Sequence, residues 1–200
     1  MPTARSPVGV ILAGGQGARI GGSKAIVELR GRPLITYPCE VLREAVGEVV
    51  IVAKADTELP GIPGVTVWVE PQTPRHPLIG IMHALSLAEG RPVLSCPVDL
   101  PFITPEVVRQ LAQAEPGAAP AVIAATAETT QPLFGCFQAR ALGLLQAVGN
   151  VSELPTRDAI TAIGALTVGV DPLTLFNINS PDDLLQASAM LDQIRTTSRT

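Results

Sequence analysis

The chain has 200 residues, of which 46% are hydrophobic and 16% charged, with a formal net charge of −4 at pH 7. That length suits one medium-sized domain with a real core, and the apolar content excludes a disordered chain. No run nears the roughly 18 consecutive apolar residues of a membrane span, and neither a Lys/Arg-rich block nor a store of aromatic rings offers a surface to nucleic acid.

The opening "MPTARSPVGVILAGG" carries only a short apolar run that leads straight into glycines, so it reads as a first strand (8–13) with no cleavable signal. Helix 33–46 and strands 48–53 and 65–70 follow, then helix 78–89, strand 92–97 and helix 105–114. The second half predicts strands 121–126 and 133–138, helices 139–148 and 156–163, a weaker strand 166–170, and a last helix 181–195. Continuous apolar runs such as "VVIVA" suit strands covered on both faces. Two helices announce their starts. Thr104, Pro105 and Glu106 form cap, first position and acidic first turn, and Ser180, Pro181, Asp182 and Asp183 repeat the device. Alternating strands and helices predict an α/β fold, a three-layer α/β/α sandwich around an open, mostly parallel sheet. Ligands of such sheets gather at the carboxyl ends of the strands, where strand order reverses. With no repeat and no long linker, residues 1–200 are expected to form a single domain, with 1–7 and 196–200 as frayed tails.

Cys39, Cys96 and Cys136 are far apart and include no CxxC pair. They predict reduced core thiols in a cytoplasmic protein rather than disulfides or a zinc site. His76 and His83 are the sole histidines, read as a loop residue and a helix-face residue. A His-based triad or a multi-His metal centre has too few of them.

The stretch "ILAGGQGARIGGSK" (11–24) holds five glycines, Arg19 and Lys24. The dinucleotide fingerprint G-x-G-x-x-G fails at Ile20, and no acid closes the second strand. The P-loop fails as well, because Ser23 precedes Lys24 and Ala25 follows it where a metal-binding hydroxyl is required. What the loop does offer is backbone N–H groups around Gly14–Gly17 to cradle phosphates, with Arg19 and Lys24 to neutralise them. A triphosphate brings a divalent cation, which wants oxygen ligands. Asp99, between Pro97 and Pro101 after a buried-looking strand, is not needed as a helix cap because Thr104 fills that role. Glu70 ends another strand, and Asn177 and Asn179 stand just before the last helix.

A glycine loop of the form LAGGxGxRxG…K after a first strand resembles that of small-molecule nucleotidyltransferases. Together with "PLIGIMHAL", "CPVDLPFI", "QPLFGCF" and "NINSPDDL", the chain resembles the molybdenum cofactor guanylyltransferases across roughly residues 8–190. The resemblance implies a Rossmann-like nucleotidyltransferase fold, and GTP and molybdopterin (molybdenum cofactor) as substrates. It implies nucleotide contacts from Leu12, Ala13, Gly14, Gly15, Gly17, Lys54, Glu70 and Gly80. Catalysis would rest on Arg19, Lys24 and Asp99, with Mg²⁺ on Asp99 and Asn179. Loops 131–135 and 150–158 would shape the pterin side, and cofactor-delivery and acceptor proteins are implied as partners. Neither nucleic acid nor membrane is expected. The chain departs from the family's usual residues at Ser23 (commonly acidic), Lys54 (often Asn) and Glu70 (commonly Asp). It also lacks the usual basic segment before a late helix, leaving Arg157 as the nearest cation. Two rivals stay open on sequence: a transferase using CTP or another phosphorylated acceptor, and a non-catalytic nucleotide-binding module.

Overall fold

The structure is a computed structural model and describes residues 6–17, 22–149 and 153–197. Strand β1 (Val8–Leu12) leads into two short strands, β2 (Gln16–Gly17) and β3 (Gly22–Ser23), which pair antiparallel. A second small pair, β4 (Glu28–Leu29) with β5 (Arg32–Pro33), precedes helix α1 (Thr36–Val46). Next come β6 (Val49–Ala53), β7 (Thr66–Val69), α2 (Pro77–Leu87), β8 (Val93–Pro97) and α3 (Pro105–Gln113). The remainder is β9 (Ala121–Ala125), β10 (Thr130–Phe137), α4 (Ala141–Ala147), α5 (Thr156–Ala162), β11 (Leu166–Gly169), a 3-10 turn (Pro172–Leu175) and α6 (Pro181–Thr197). Every strand and helix expected from the sequence forms. The two short antiparallel pairs within residues 16–33 were not anticipated, because two-residue strands carry no periodicity.

The main sheet runs β11-β9-β10-β8-β1-β6-β7. β10 is antiparallel to both its neighbours, and the other pairings are parallel. The chain moves outward from β1 through β6 to β7, then returns to place β8 on the other side of β1. Strand order therefore reverses at β1, and this is where a ligand crevice belongs.

Side chains alternate across the sheet, which makes three layers. Val8 and Val10 of β1 pack with Leu78 and Ile81 of α2, Leu145 of α4 and Ile160 of α5. Ile11 and Ala13 point the other way, onto Cys39 and Leu42 of α1 and Val108 and Leu111 of α3. β6 is buried along its whole length, as a strand covered on both faces must be. Phe134 and Phe137 of β10 are fully buried on opposite faces, and each burial stabilises by about 1.5–3 kcal/mol. A smaller cluster of Leu29, Leu34, Phe102, Ile178 and Ala187 seats α6 beside β4 and β5. Thr104 caps α3 as expected, its side chain accepting from the Val107 N–H at 3.4 Å.

Candidate active site

A cleft of about 400 Å³ opens at the carboxyl ends of β1, β6, β7 and β8. Leu12, Gly14 and Gly15 reach it from β1, Lys54 from β6, Glu70 from β7 and Asp99 from β8. Gly80 of α2 and Lys24 complete its walls. Residues separated by most of the chain thus converge at the reversal point of the sheet.

Lys24 sits between Ser23 of β3 and Ala25, which is fully buried in the core. Its stem is therefore held at both ends of the residue while the ammonium crosses into the cleft. That ammonium lies 2.5 Å from Asp99 Oδ2 and donates to Asn179 Oδ1 at 2.7 Å. The Lys24 and Asp99 side chains are only 17% and 12% exposed, so the pair is screened far less than one on the surface. Asn179 is brought there by the preceding residue: the Ile178 N–H donates to the Asp99 carbonyl at 3.0 Å, and the Ile178 side chain is buried. Helix α6 then fixes it. Asp183 Oδ2 accepts from the N–H groups of Asn179 and Ser180, both at 2.9 Å, while Ser180 Oγ accepts from the Asp183 N–H. These bonds, that from Asn179 first, hold the Asp183 carboxyl below the usual carboxylate range. This reciprocal cap orients the amide that meets Lys24.

On the opposite wall, Lys54 and Glu70 form a buried pair, with Nζ 3.4 Å from Oε1 and side chains 3% and 6% exposed. Lys54 Nζ also donates to the Pro71 carbonyl at 2.6 Å. The Glu70 carboxylate is wedged between two glycines. A Cβ on Gly14 would stand 2.1 Å from Oε1, and one on Gly80 would stand 3.2 Å from Oε2. Only the absence of a side chain at Gly14 admits the acid there.

Of the residues expected at the site, Leu12, Gly14, Gly15, Lys24, Lys54, Glu70, Gly80 and Asp99 line one cleft, and Asn179 joins them through Lys24. Ala13 differs. Its side chain is buried in the layer beneath the sheet, and its N–H donates to the Val52 carbonyl at 2.9 Å. Gly17 pairs with Gly22 in the small hairpin, and Arg19 lies outside the described residues, as do 150–152 of the expected pterin loop. Arg157 donates to Thr129 Oγ1 at 3.3 Å and is exposed.

Sequence reasoning missed Arg75 and His76, both in the cleft wall. His76 caps α2, its Nδ1 accepting from the Leu78 N–H at 3.3 Å while Nε2 lies 3.1 Å from the Leu154 carbonyl. The signal was present in Pro77 immediately after it, a residue that favours the first helical position. Arg75 Nη2 pairs with Asp56 Oδ2 at 2.6 Å, a contact with no local sequence mark.

The oxygens here suit a hard cation. Among the described residues, Asp99 Oδ1, Asn177 Oδ1 and Ser23 Oγ are buried with no hydrogen-bond partner. Unpaired buried acceptors are costly, and the Lys24 ammonium already marks the spot between Asp99 and Asn179 as one for positive charge. Among the described residues no three His, Cys, Asp or Glu side chains converge as a metal cage.

A glycine-lined switch-point cleft with a lysine, an acid and an amide converging in it suits the phosphate chemistry of a nucleotidyltransferase. The family model of the MobA-like NTP transferase domain matches residues 9–162, and the chain belongs to that family. It is 31% identical over 188 residues to a molybdenum cofactor guanylyltransferase of Cereibacter sphaeroides, covering 92% of this chain and 96% of the relative. It is 33% identical over 204 residues to one of Rhodobacter capsulatus, at the same coverage. In fold it matches molybdopterin-guanine dinucleotide biosynthesis protein A of Archaeoglobus fulgidus, with a TM-score of 0.74 at 22% identity over 92% of this chain and 98% of that one.

Proposed function

We propose that this protein transfers GMP from GTP to the terminal phosphate of molybdopterin, releasing pyrophosphate and forming the guanine dinucleotide cofactor. The observation that carries the reading is the meeting of Lys24, Asp99 and Asn179 in a cleft walled by Gly14, Gly15 and Gly80, in a chain whose relatives bear that name.

The chemistry needs no protein nucleophile. An oxygen of the acceptor phosphate attacks the α-phosphorus of GTP in line, the α–β bridging P–O bond breaks, and its electron pair leaves on pyrophosphate. The protein positions the two substrates and offsets charge. Lys24 pairs with triphosphate oxygens, and Arg19 supports the departing pyrophosphate. The backbone at Leu12–Gly15 and Gly17 borders the nucleotide, with Glu70 and Lys54 closing the nucleoside end against Gly80. A Mg²⁺ ion held by Asp99 and Asn179 would screen the phosphate oxygens as charge builds. We take residues 1–200 as one such domain, working in the cytoplasm with proteins that deliver the pterin and receive the finished cofactor.

A thermal-shift comparison of GTP, CTP, ATP and UTP, each with and without Mg²⁺, tests the assignment. GTP-selective, Mg²⁺-dependent stabilisation is expected. A preference for CTP overturns the guanylyl assignment, and indifference to every nucleotide overturns the enzyme. With molybdopterin present, Lys24→Ala and Asp99→Ala are each expected to lower pyrophosphate release by about 10²–10³-fold with an unchanged circular dichroism spectrum. Full activity in either variant removes that residue from the mechanism.

A further inference from the structure

Asp99 is seven-eighths buried on its side chain, and a carboxylate so placed is costly without a cation beside it. Some positive charge must therefore stand there in every state of the protein. In this structure it is the Lys24 ammonium, 2.5 Å from Asp99 Oδ2 and 2.7 Å from Asn179 Oδ1. Those are the same two side chains to which the proposed reaction assigns its metal ion. An ammonium and a divalent cation compete for them, because like charges at contact distance repel.

We propose that Lys24 is the resting counter-ion of the cation site. Its ammonium keeps divalent ions out of the nucleotide-free protein and vacates the position only when a triphosphate offers it other anionic oxygens. The cation then enters together with the nucleotide and not before it. The main chain on either side is tied down: Ser23 pairs with Gln16, its carbonyl accepts from the Ile26 N–H, and the Ala25 carbonyl accepts from the Ile35 N–H. The exchange is therefore made by the side chain, whose flexible four-carbon stem allows it. Among the described residues Asp99 Oδ1 is buried without a partner, so it is an acceptor the ammonium leaves unused and an incoming ion can take. The inference rests on the proposed function for the identity of the metal ligands, and its test uses no nucleotide.

The test is Mn²⁺ binding to the full-length, nucleotide-free protein, read as loss of the free Mn²⁺ signal in electron paramagnetic resonance. Lys24→Met removes the charge and keeps the stem, and it is expected to bind Mn²⁺ at least about tenfold more tightly than the wild type. Lys24→Gln, which keeps polar contact with Asp99 and Asn179, is expected to show the same gain should Lys24→Met not fold. Lys24→Arg retains the cation and should gain nothing. Adding Asp99→Asn to Lys24→Met should abolish the gain, locating the ion at that carboxylate. Wild-type protein that binds Mn²⁺ as tightly as the charge-removed variants overturns the proposal. So does a gain that survives Asp99→Asn. Failure of the wild type to respond to GTP and Mg²⁺ would strike the guanylyl-transfer reading instead, leaving the Mn²⁺ result to stand by itself.

Discussion

Lys54 and Glu70 are two departures from the residues the family resemblance leads one to expect, and in space they are one feature. The longer acid carries its carboxylate over Gly14, and the lysine that replaces an amide neutralises it at 3.4 Å. Neither side chain would be tolerated at its depth without the other. Lys54→Met alone is accordingly expected to cost about 3–5 kcal/mol in denaturant unfolding, because it strands a buried carboxylate. Adding Glu70→Gln should recover part of that loss, so that the double variant is more stable than the sum of the single ones. Strict additivity would show the pair to be uncoupled. The sequence marked both positions as unusual. It did not join them, because they sit at the ends of different strands and meet only through the β6–β7 pairing.

The last helix contributes to the site through its first turn. The acids of "SPDD" were legible as favourable charges at the positive end of a helix, but Asp183 has a narrower task. It holds the main chain of Asn179 and Ser180, and so aims the Asn179 amide at Lys24. Because those bonds lower its carboxyl in the folded state, its stabilisation is complete above the unfolded value of about 3.9 and is lost as pH falls through the folded one. Asp183→Ala should thus melt below the wild type at pH 7, and the two curves should draw together below about pH 4. The same variant should bind Mg²⁺–GTP more weakly at neutral pH, since Asn179 loses its anchor. Equal melting at both pH values would remove the cap from this account. His76, read from the sequence as a loop residue, instead caps α2 and stands in the cleft wall.

The molecule as a whole keeps its reactive groups at the sheet's carboxyl edge and its thiols within the core layers. Cys39, Cys96 and Cys136 are free and buried. Burial pushes the Cys136 thiol up to about 12 and, with the nearby Asp99 charge as a lesser cause, Cys96 well above its ordinary value. A thiol so far from ionisation is neither nucleophile nor metal ligand. The native protein at pH 8 is therefore expected to resist a disulfide-exchange reagent, and all three thiols should react once guanidinium unfolds it. Prompt labelling of the native protein would contradict the packing. The sequence anticipated this from the odd count and wide spacing of the cysteines.

Strands, helices and caps were legible because each is fixed by residues a few positions apart. Apolar runs set the strands, and Thr104 and Ser180 with their prolines set two helix starts. The glycine loop and its lysine were likewise local, and two competing phosphate-binding motifs failed at identifiable residues, Ile20 and Ala25. Tertiary structure decided the rest. The bonds from Lys24 to Asp99 and Asn179 span 75 and 155 positions. Such contacts leave no periodic trace in sequence. They exist because strand order reverses at β1 and α6 folds back across the sheet's edge, and that arrangement sets which carboxylate each buried ammonium neutralises.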